Sequence, residues 1–209
     1  MSKELQKRII SSLILIPLSF YFIMKDSDFF IFFLTIVFLI SFTEWIKISN
    51  NNVIKIIGIF FLLFSLYCAY KVRDEYLVDF LMILIICIST DLGGYIFGKL
   101  LKGPKLIKIS PNKTYSGMFG GFLLALLFSY SFNNIYELSI IGSSSLRLMI
   151  LTLLISSVSQ IGDLIISYFK RLSKIKDTGK ILPGHGGMLD RIDGMIFVFP
   201  FIFIISILL

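Results

Sequence analysis

Long apolar runs divide this chain, and that pattern limits its fold more than any other feature. Roughly 20 consecutive apolar residues of helix are needed to cross the hydrocarbon core of a bilayer. Only structures that satisfy their backbone polar groups internally are stable there. Seven runs are candidates: about Ile9–Met24, Phe29–Trp45, Ile54–Tyr70, Leu77–Gly98, Gly117–Phe132, Leu146–Phe169 and Gly194–Leu209. Several are short, so one of them can be re-entrant or tilted. Charged residues make up 16% of the sequence and hydrophobic residues 56%, whereas soluble domains carry about a quarter charged residues. The expected class is an all-α polytopic membrane protein with about seven transmembrane helices. Residues 1–76 are expected to supply N-terminal transmembrane helices and 77–209 the transmembrane region that carries the long polar loops, together forming a single membrane domain.

The charges give an orientation. The formal net charge is +7, but the basic residues sit in short loops between apolar runs. That placement fits the positive-inside rule, anionic headgroups or a phosphorylated substrate, and it excludes nucleic acid as the expected partner. Lys3, Lys7 and Arg8 hold the N-terminus in the cytoplasm. Counting down the spans, the loops Lys99–Ser116 and Lys170–Asp193 then fall on the same side. The polar loops are therefore expected to be cytoplasmic, on the side where a site built from them would open. Ile9–Met24 runs into Lys25-Asp26 without a small-residue cleavage site, so no cleavable leader is expected. Cys68 and Cys87 lie in apolar runs without metal-ligand spacing and read as buried thiols.

One segment is out of keeping with its apolar flanks. Ser167 to Asp193 holds six basic side chains, three aspartates, four glycines and the chain's one histidine. Before it, Ser156, Ser159, Gln160, Asp163, Ser167 and Lys170 project onto one arc of a single helix at about 100° per residue. Lipid cannot satisfy such a stripe, so it must face a cavity or other helices. An aspartate inside a span costs about 2.5–3.5 kcal/mol on insertion scales. Asp163 and Asp91 therefore read as functional, although a carboxylate near a helix end can also reach the interface or a basic partner. In the loop, the glycines around Pro183-Gly184-His185-Gly186-Gly187 allow close approach to a ligand, and successive amides can cradle phosphate oxygens. Asp190 and Asp193, three apart, share one helical face and offer the hard oxygen ligands that Mg²⁺ prefers; either can instead cap the helix or pair with Arg191. His185 reads as a turn residue or as a phosphate or metal-water contact. Asp91 shares a face with Gly94 and Gly98, a small-residue pattern that marks close helix packing.

These residues together resemble the phosphatidate cytidylyltransferase (CDP-diacylglycerol synthase) family. The resemblance rests on Ser167, Lys170-Arg171, Lys176-Asp177, Gly179, Pro183 to Gly187, and Asp190-Arg191 with Asp193. Gly162-Asp163-Leu164, the Ser110–Thr114 loop and the Asp91 helix are similar to further family elements. It covers roughly Ser89 to the C-terminus in detail, with a weaker likeness at Leu5–Ile10. Leu92, Gly94, Tyr115, Ser116 and Ile166 depart from the residues usual in the family. The chain is also shorter than many members, a difference expected to fall among the N-terminal spans.

The resemblance implies that CTP and phosphatidate give CDP-diacylglycerol and pyrophosphate at a membrane-embedded site in a bacterial-type cytoplasmic (inner) membrane. It implies a divalent cofactor, Mg²⁺, with room for a paired K⁺, held by Asp163 and Asp190. It also implies a catalytic group of Asp163, Lys170, Arg171, His185, Asp190 and Asp193. Asp91, Lys113, Ser167, Lys176, Gly186, Gly187 and Arg191 would bind substrate, and a homodimer is allowed. Two rivals are a CTP-dependent lipid kinase of related architecture and an ion or phosphate transporter using the intramembrane aspartates. The Asp-x-x-Asp-Gly-x-x-Ala-Arg pattern of CDP-alcohol phosphotransferases is absent.

Overall fold

The computed structural model describes residues 3–49, 51–107, 110–136, 138–140, 144–182, 184 and 186–208. The element order is α1 (Lys3–Met24), α2 (Ser27–Ile48), α3 (Asn52–Glu75), α4 (Leu77–Leu101), β1 (Lys105–Ile107), β2 (Ser110–Thr114), α5 (Tyr115–Asn133), α6 (Ser145–Leu172), α7 (Leu189–Ile192) and α8 (Met195–Leu208). Each of the seven apolar runs is a helix. Five of them, α2 to α6, are long and apolar enough to cross a membrane; Ser11–Met24 and Met195–Leu208 are shorter apolar stretches. Large apolar side chains such as Leu13, Phe60, Leu100 and Phe119 lie exposed on these helices. Water would not tolerate so many such faces, and lipid requires them. The chain is an integral membrane protein.

Local chemistry sets the helix ends. The Asn51 side chain accepts the Val53 amide at 2.8 Å and opens α3, and Thr114 caps α5 by accepting the Gly117 amide at 3.1 Å. Pro17 and Pro200 lie inside α1 and α8, as membrane helices tolerate. The loop after α4 departs from the all-helical expectation, because β1 and β2 pair as a small antiparallel hairpin with Lys105 opposite Thr114. Lys102 ends α4 in the left-handed region, at φ 50°.

Packing divides the chain into two compact units. One comprises Met1–Tyr70 with Phe169–Ile192; the other comprises Lys71–Tyr168 with Asp193–Leu209. The signature loop, the glycine-rich stretch between Lys170 and Asp190 that carries most of the family-like residues, thus packs with N-terminal helices. In the second unit, α4 and α5 meet through glycines. A Cβ on Gly93 would fall on the backbone of Gly120 and Gly121, and one on Gly120 would strike the Phe97 ring. The packing face foreseen from Gly94 and Gly98 is present, with Gly93 at its tightest point. Phe80 of α4 stacks on Phe199 of α8 with centroids 5.1 Å apart.

Two neighbouring glycines therefore differ in what they tolerate. Gly93→Ala should lower the melting temperature of detergent-solubilised protein, at about 1–3 kcal/mol for an overpacked contact. Gly94→Ala, whose added carbon meets only the Gly117 carbonyl at 3.8 Å, should melt within error of the unsubstituted protein. Thermal circular dichroism of the pair measures both.

Candidate functional site

The last turn of α2 is the platform of the first unit. Trp45 is buried, donates from Nε1 to the Lys55 carbonyl at 3.2 Å, and meets the Phe169 ring edge-on at 5.1 Å. The Ser173 hydroxyl donates to the Ile48 carbonyl. One turn inside, Glu44 is 1% exposed, and among the described residues its donors all come from the signature loop. Oε2 accepts the Thr178 hydroxyl at 2.9 Å and the Leu189 amide at 2.8 Å; Oε1 accepts the Met188 amide at 3.0 Å. Reading the sequence overlooked this residue. Its signal was present all the same: a single carboxylate within the apolar run Phe29–Trp45.

The loop itself starts where α6 ends. The Ile175 amide donates to the Lys170 carbonyl and the Lys174 amide to that of Arg171, each at 3.0 Å. This is a Schellman end with Lys174 in the left-handed position usually held by glycine, φ 55°. The Arg171 guanidinium returns to the Ile175 carbonyl at 3.0 Å. Farther on, the Leu182 amide bonds the Gly186 carbonyl at 3.0 Å and pinches the glycine turn shut. Gly186 has φ +87°, and a Cβ there would lie 2.9 Å from Asp190 Oδ2.

Asp190 receives the turn. Its Oδ1 accepts the Lys170 ammonium at 2.9 Å, and its Oδ2 accepts the Thr178 amide at 2.8 Å and the Gly187 amide at 3.0 Å. Burial alone would raise its carboxyl pKa. The Lys170 hydrogen bond, the two amides and the lysine's charge outweigh that and hold it below the ordinary 3.8. The amide of Gly187, at the end of the glycine run that the sequence offers to phosphate, and those of Met188 and Leu189 after it are thus engaged by the chain's own carboxylates. Arg171, Lys176 and Arg191 are exposed. Pro183 and His185 lie outside the described residues.

The second unit holds the other carboxylate foreseen for chemistry. Asp163 is half-buried; its Oδ2 pairs with Lys113 and its Oδ1 accepts the Ser167 hydroxyl at 3.2 Å. The stripe continues N-terminally as Gln160, Ser159 and Ser156, with Ser156 2.8 Å from the Thr90 hydroxyl of α4. Ser156, Ser159 and Ser167 are buried, as is Lys170 in the first unit, while Ile161 is 54% exposed on the opposite side. The helical projection holds. Two glycines bring α6 against the chain entering α8: a Cβ on Gly162 would meet the Phe197 ring, and one on Gly194 the Ser159 carbonyl at 2.9 Å. Asp193 is buried and accepts the Gly194 amide at 2.9 Å. Asp91 is exposed on α4. A further buried acid was not foreseen. Asp79, 1% exposed, accepts the Ser139 and Ile140 amides at 3.0 and 3.1 Å, a structural clasp.

Among the described residues, no three His, Cys, Asp or Glu side chains gather into a metal cage. Mg²⁺ is commonly held by one or two carboxylates, with water and substrate phosphates completing its octahedron. A carboxylate has about four lone-pair sites. Asp190 uses three on the donors named and Asp163 uses two, so both retain capacity for a cation. Each already carries a lysine ammonium, a positive charge where a metal would be neutralised. Taken singly, Asp190 and Asp163 are each the kind of hard oxygen ligand that Mg²⁺ takes together with substrate phosphates.

Residues 53–209 match the cytidylyltransferase family. A phosphatidate cytidylyltransferase of Rickettsia bellii is 33% identical over 219 positions, covering 99% of this chain and 94% of the relative. That of Rickettsia felis is 35% identical over 209 positions, covering 96% and 92%. The Staphylococcus epidermidis protein of the same name is 41% identical over 152 positions, covering 72% of this chain but 55% of its own length. The chain thus spans about half the length of such longer relatives.

Trp45 is the one tryptophan in the sequence and meets Phe169, so it reports on the end of α6 from which the loop starts. A carboxyl with a depressed folded-state pKa stabilises the fold above its unfolded value, and this contribution is lost as pH falls through the folded one. In metal-free protein, Trp45 emission should hold steady down to the ordinary carboxylate range and shift to the red only below pH 3.8. Asp190→Asn should show the red-shifted spectrum at neutral pH, and Asp163→Asn should not.

Proposed function

The chain belongs to the cytidylyltransferase family, and on that premise we propose that it transfers the cytidylyl group of CTP to phosphatidate, giving CDP-diacylglycerol and pyrophosphate. The observation that carries this reading is the near full-length match to the Rickettsia proteins of that name. The two lysine-bound carboxylates support it. Both reactants are polyanions, so a site joining them needs cations before it needs a base.

In this reading, an oxygen of the phosphatidate phosphate attacks the α-phosphorus of CTP. A phosphoanhydride bond forms, the bond from the α-phosphorus to the oxygen bridging the β-phosphorus breaks, and that oxygen leaves with the electron pair on pyrophosphate. A phosphate monoester has a second pKa of about 6 and is already a nucleophile at neutral pH, so no proton need be abstracted. Asp163 and Asp190 would hold Mg²⁺, which supplies charge neutralisation and Lewis acidity at the phosphates. Lys170 pairs with Asp190 and Lys113 with Asp163, holding these carboxylates in place. Arg171, Lys176 and Arg191, exposed beside them in sequence, gather phosphate charge, and we assign His185 to the same polar group. The basic loops Lys99–Ser116 and Lys170–Asp193 would face the cytoplasm, where CTP is found, in a bacterial inner membrane.

Purified protein supplied with CTP labelled at the α- or the γ-phosphorus, phosphatidate and Mg²⁺ should place the α-label in lipid and the γ-label in pyrophosphate. A γ-label in lipid with release of CDP would instead identify a lipid kinase. Asp163→Ala and Asp190→Ala should each abolish lipid labelling; near-unchanged turnover in both would remove the assignment.

A further inference from the structure

We propose that Glu44, on an N-terminal helix away from the signature, is a positioning residue for the transfer reaction: it holds the signature loop in the form that presents Asp190. The kinetic part of this inference rests on the function proposed above; the structural part does not. A buried carboxylate is strongly unfavourable unless it is paired or fully hydrogen-bonded. Among the described residues Glu44 makes no ion pair. All three of its donors are neutral groups of one loop: the Thr178 hydroxyl and the Met188 and Leu189 amides. Three hydrogen bonds from one loop to one helix turn both satisfy the buried acid and span Thr178 to Leu189. They fix the loop's geometry.

The path from Glu44 to the chemistry is short. Thr178 gives its hydroxyl to Glu44 and its amide to Asp190. The Gly187 amide goes to Asp190 and the next two amides go to Glu44. The two carboxylates therefore interleave along the same backbone, and neither can lose its donors without turning the other. Glu44 also explains why two loop positions are glycine. A Cβ on Gly179 would collide with Glu44 Oε1, and one on Gly187 would lie 2.6 Å from both Glu44 oxygens and strike the Thr178 hydroxyl. Groups that orient a metal ligand typically change metal affinity or activity by about 10–100-fold when removed.

Glu44→Gln keeps the volume but turns one acceptor into an NH₂ that faces amide N–H groups. Thr178→Val removes one donor, and Thr178→Ser restores it. Full-length protein in detergent is read in two ways: tryptic cleavage at the exposed Lys174, Lys176 and Lys180 without ligand, and the Mg²⁺ concentration for half-maximal CDP-lipid formation. Glu44→Gln and Thr178→Val should be cleaved faster and need about 10–100-fold more Mg²⁺, whereas Thr178→Ser should match the unsubstituted protein in both. If Glu44→Gln does not fold, the threonine pair alone decides. Unchanged cleavage would overturn the proposal, and so would faster cleavage with an unchanged Mg²⁺ requirement, which leaves Glu44 a structural pin. If the unsubstituted protein makes no CDP-lipid, the transferase reading falls separately, and the cleavage result still decides whether Glu44 holds the loop.

Discussion

Glu44 and Asp190 share the amides of one glycine-rich turn, and the form of the signature loop follows from that sharing. Successive backbone N–H groups in a turn attract any anion. In this protein the anions are built in. Gly187 serves Asp190, while Met188 and Leu189 serve Glu44. These backbone donors are engaged internally, while the lysine and arginine side chains of the loop at Arg171, Lys174, Lys176, Lys180 and Arg191 are exposed. Lys170 instead turns inward: its ammonium lies 2.9 Å from Asp190 Oδ1, with 11% of its side chain exposed.

The second unit solves a different problem, which is how to bring helices together where lipid offers no hydrophobic gain. Association in a bilayer depends on close packing and interhelical hydrogen bonds. Gly93 and Gly120 let α4 and α5 touch backbone to side chain, and Gly162 and Gly194 do the same for α6 and the start of α8. The hydroxyls of Thr90 and Ser156 add a polar stitch. Asp163 comes out of this packed stripe half-buried, with Lys113 on one oxygen and the Ser167 hydroxyl on the other. Its lighter set of donors leaves it the freer carboxylate for a cation.

Much of this was legible in the residues. Apolar run length located seven apolar helices, five of them long enough to cross a membrane, because length is what the bilayer selects. Helical periodicity put Ser156, Ser159, Asp163, Ser167 and Lys170 on one arc, and burial follows that arc. The β1–β2 hairpin was not legible: it is short, it holds Lys105, Lys113 and Pro111, and it lacks the alternation that marks a strand. Glu44 and Asp79 carried the same signal as Asp163, an acid in an apolar run. Their partners are backbone amides far along the chain, at Met188 and Leu189 for one and Ser139 and Ile140 for the other. Amides have no sequence signature. An acid that binds them looks in sequence like an acid that binds nothing.

Whether the loop's amides are held by the chain's own carboxylates can be measured directly by hydrogen–deuterium exchange of Thr178, Gly187, Met188 and Leu189 in protein free of metal and nucleotide. All four should be protected without ligand, and CTP with Mg²⁺ should change them little. Exchange at the rate of an open chain, with protection only once CTP is added, would mean that the turn waits for a phosphate and would contradict its capture by Glu44 and Asp190.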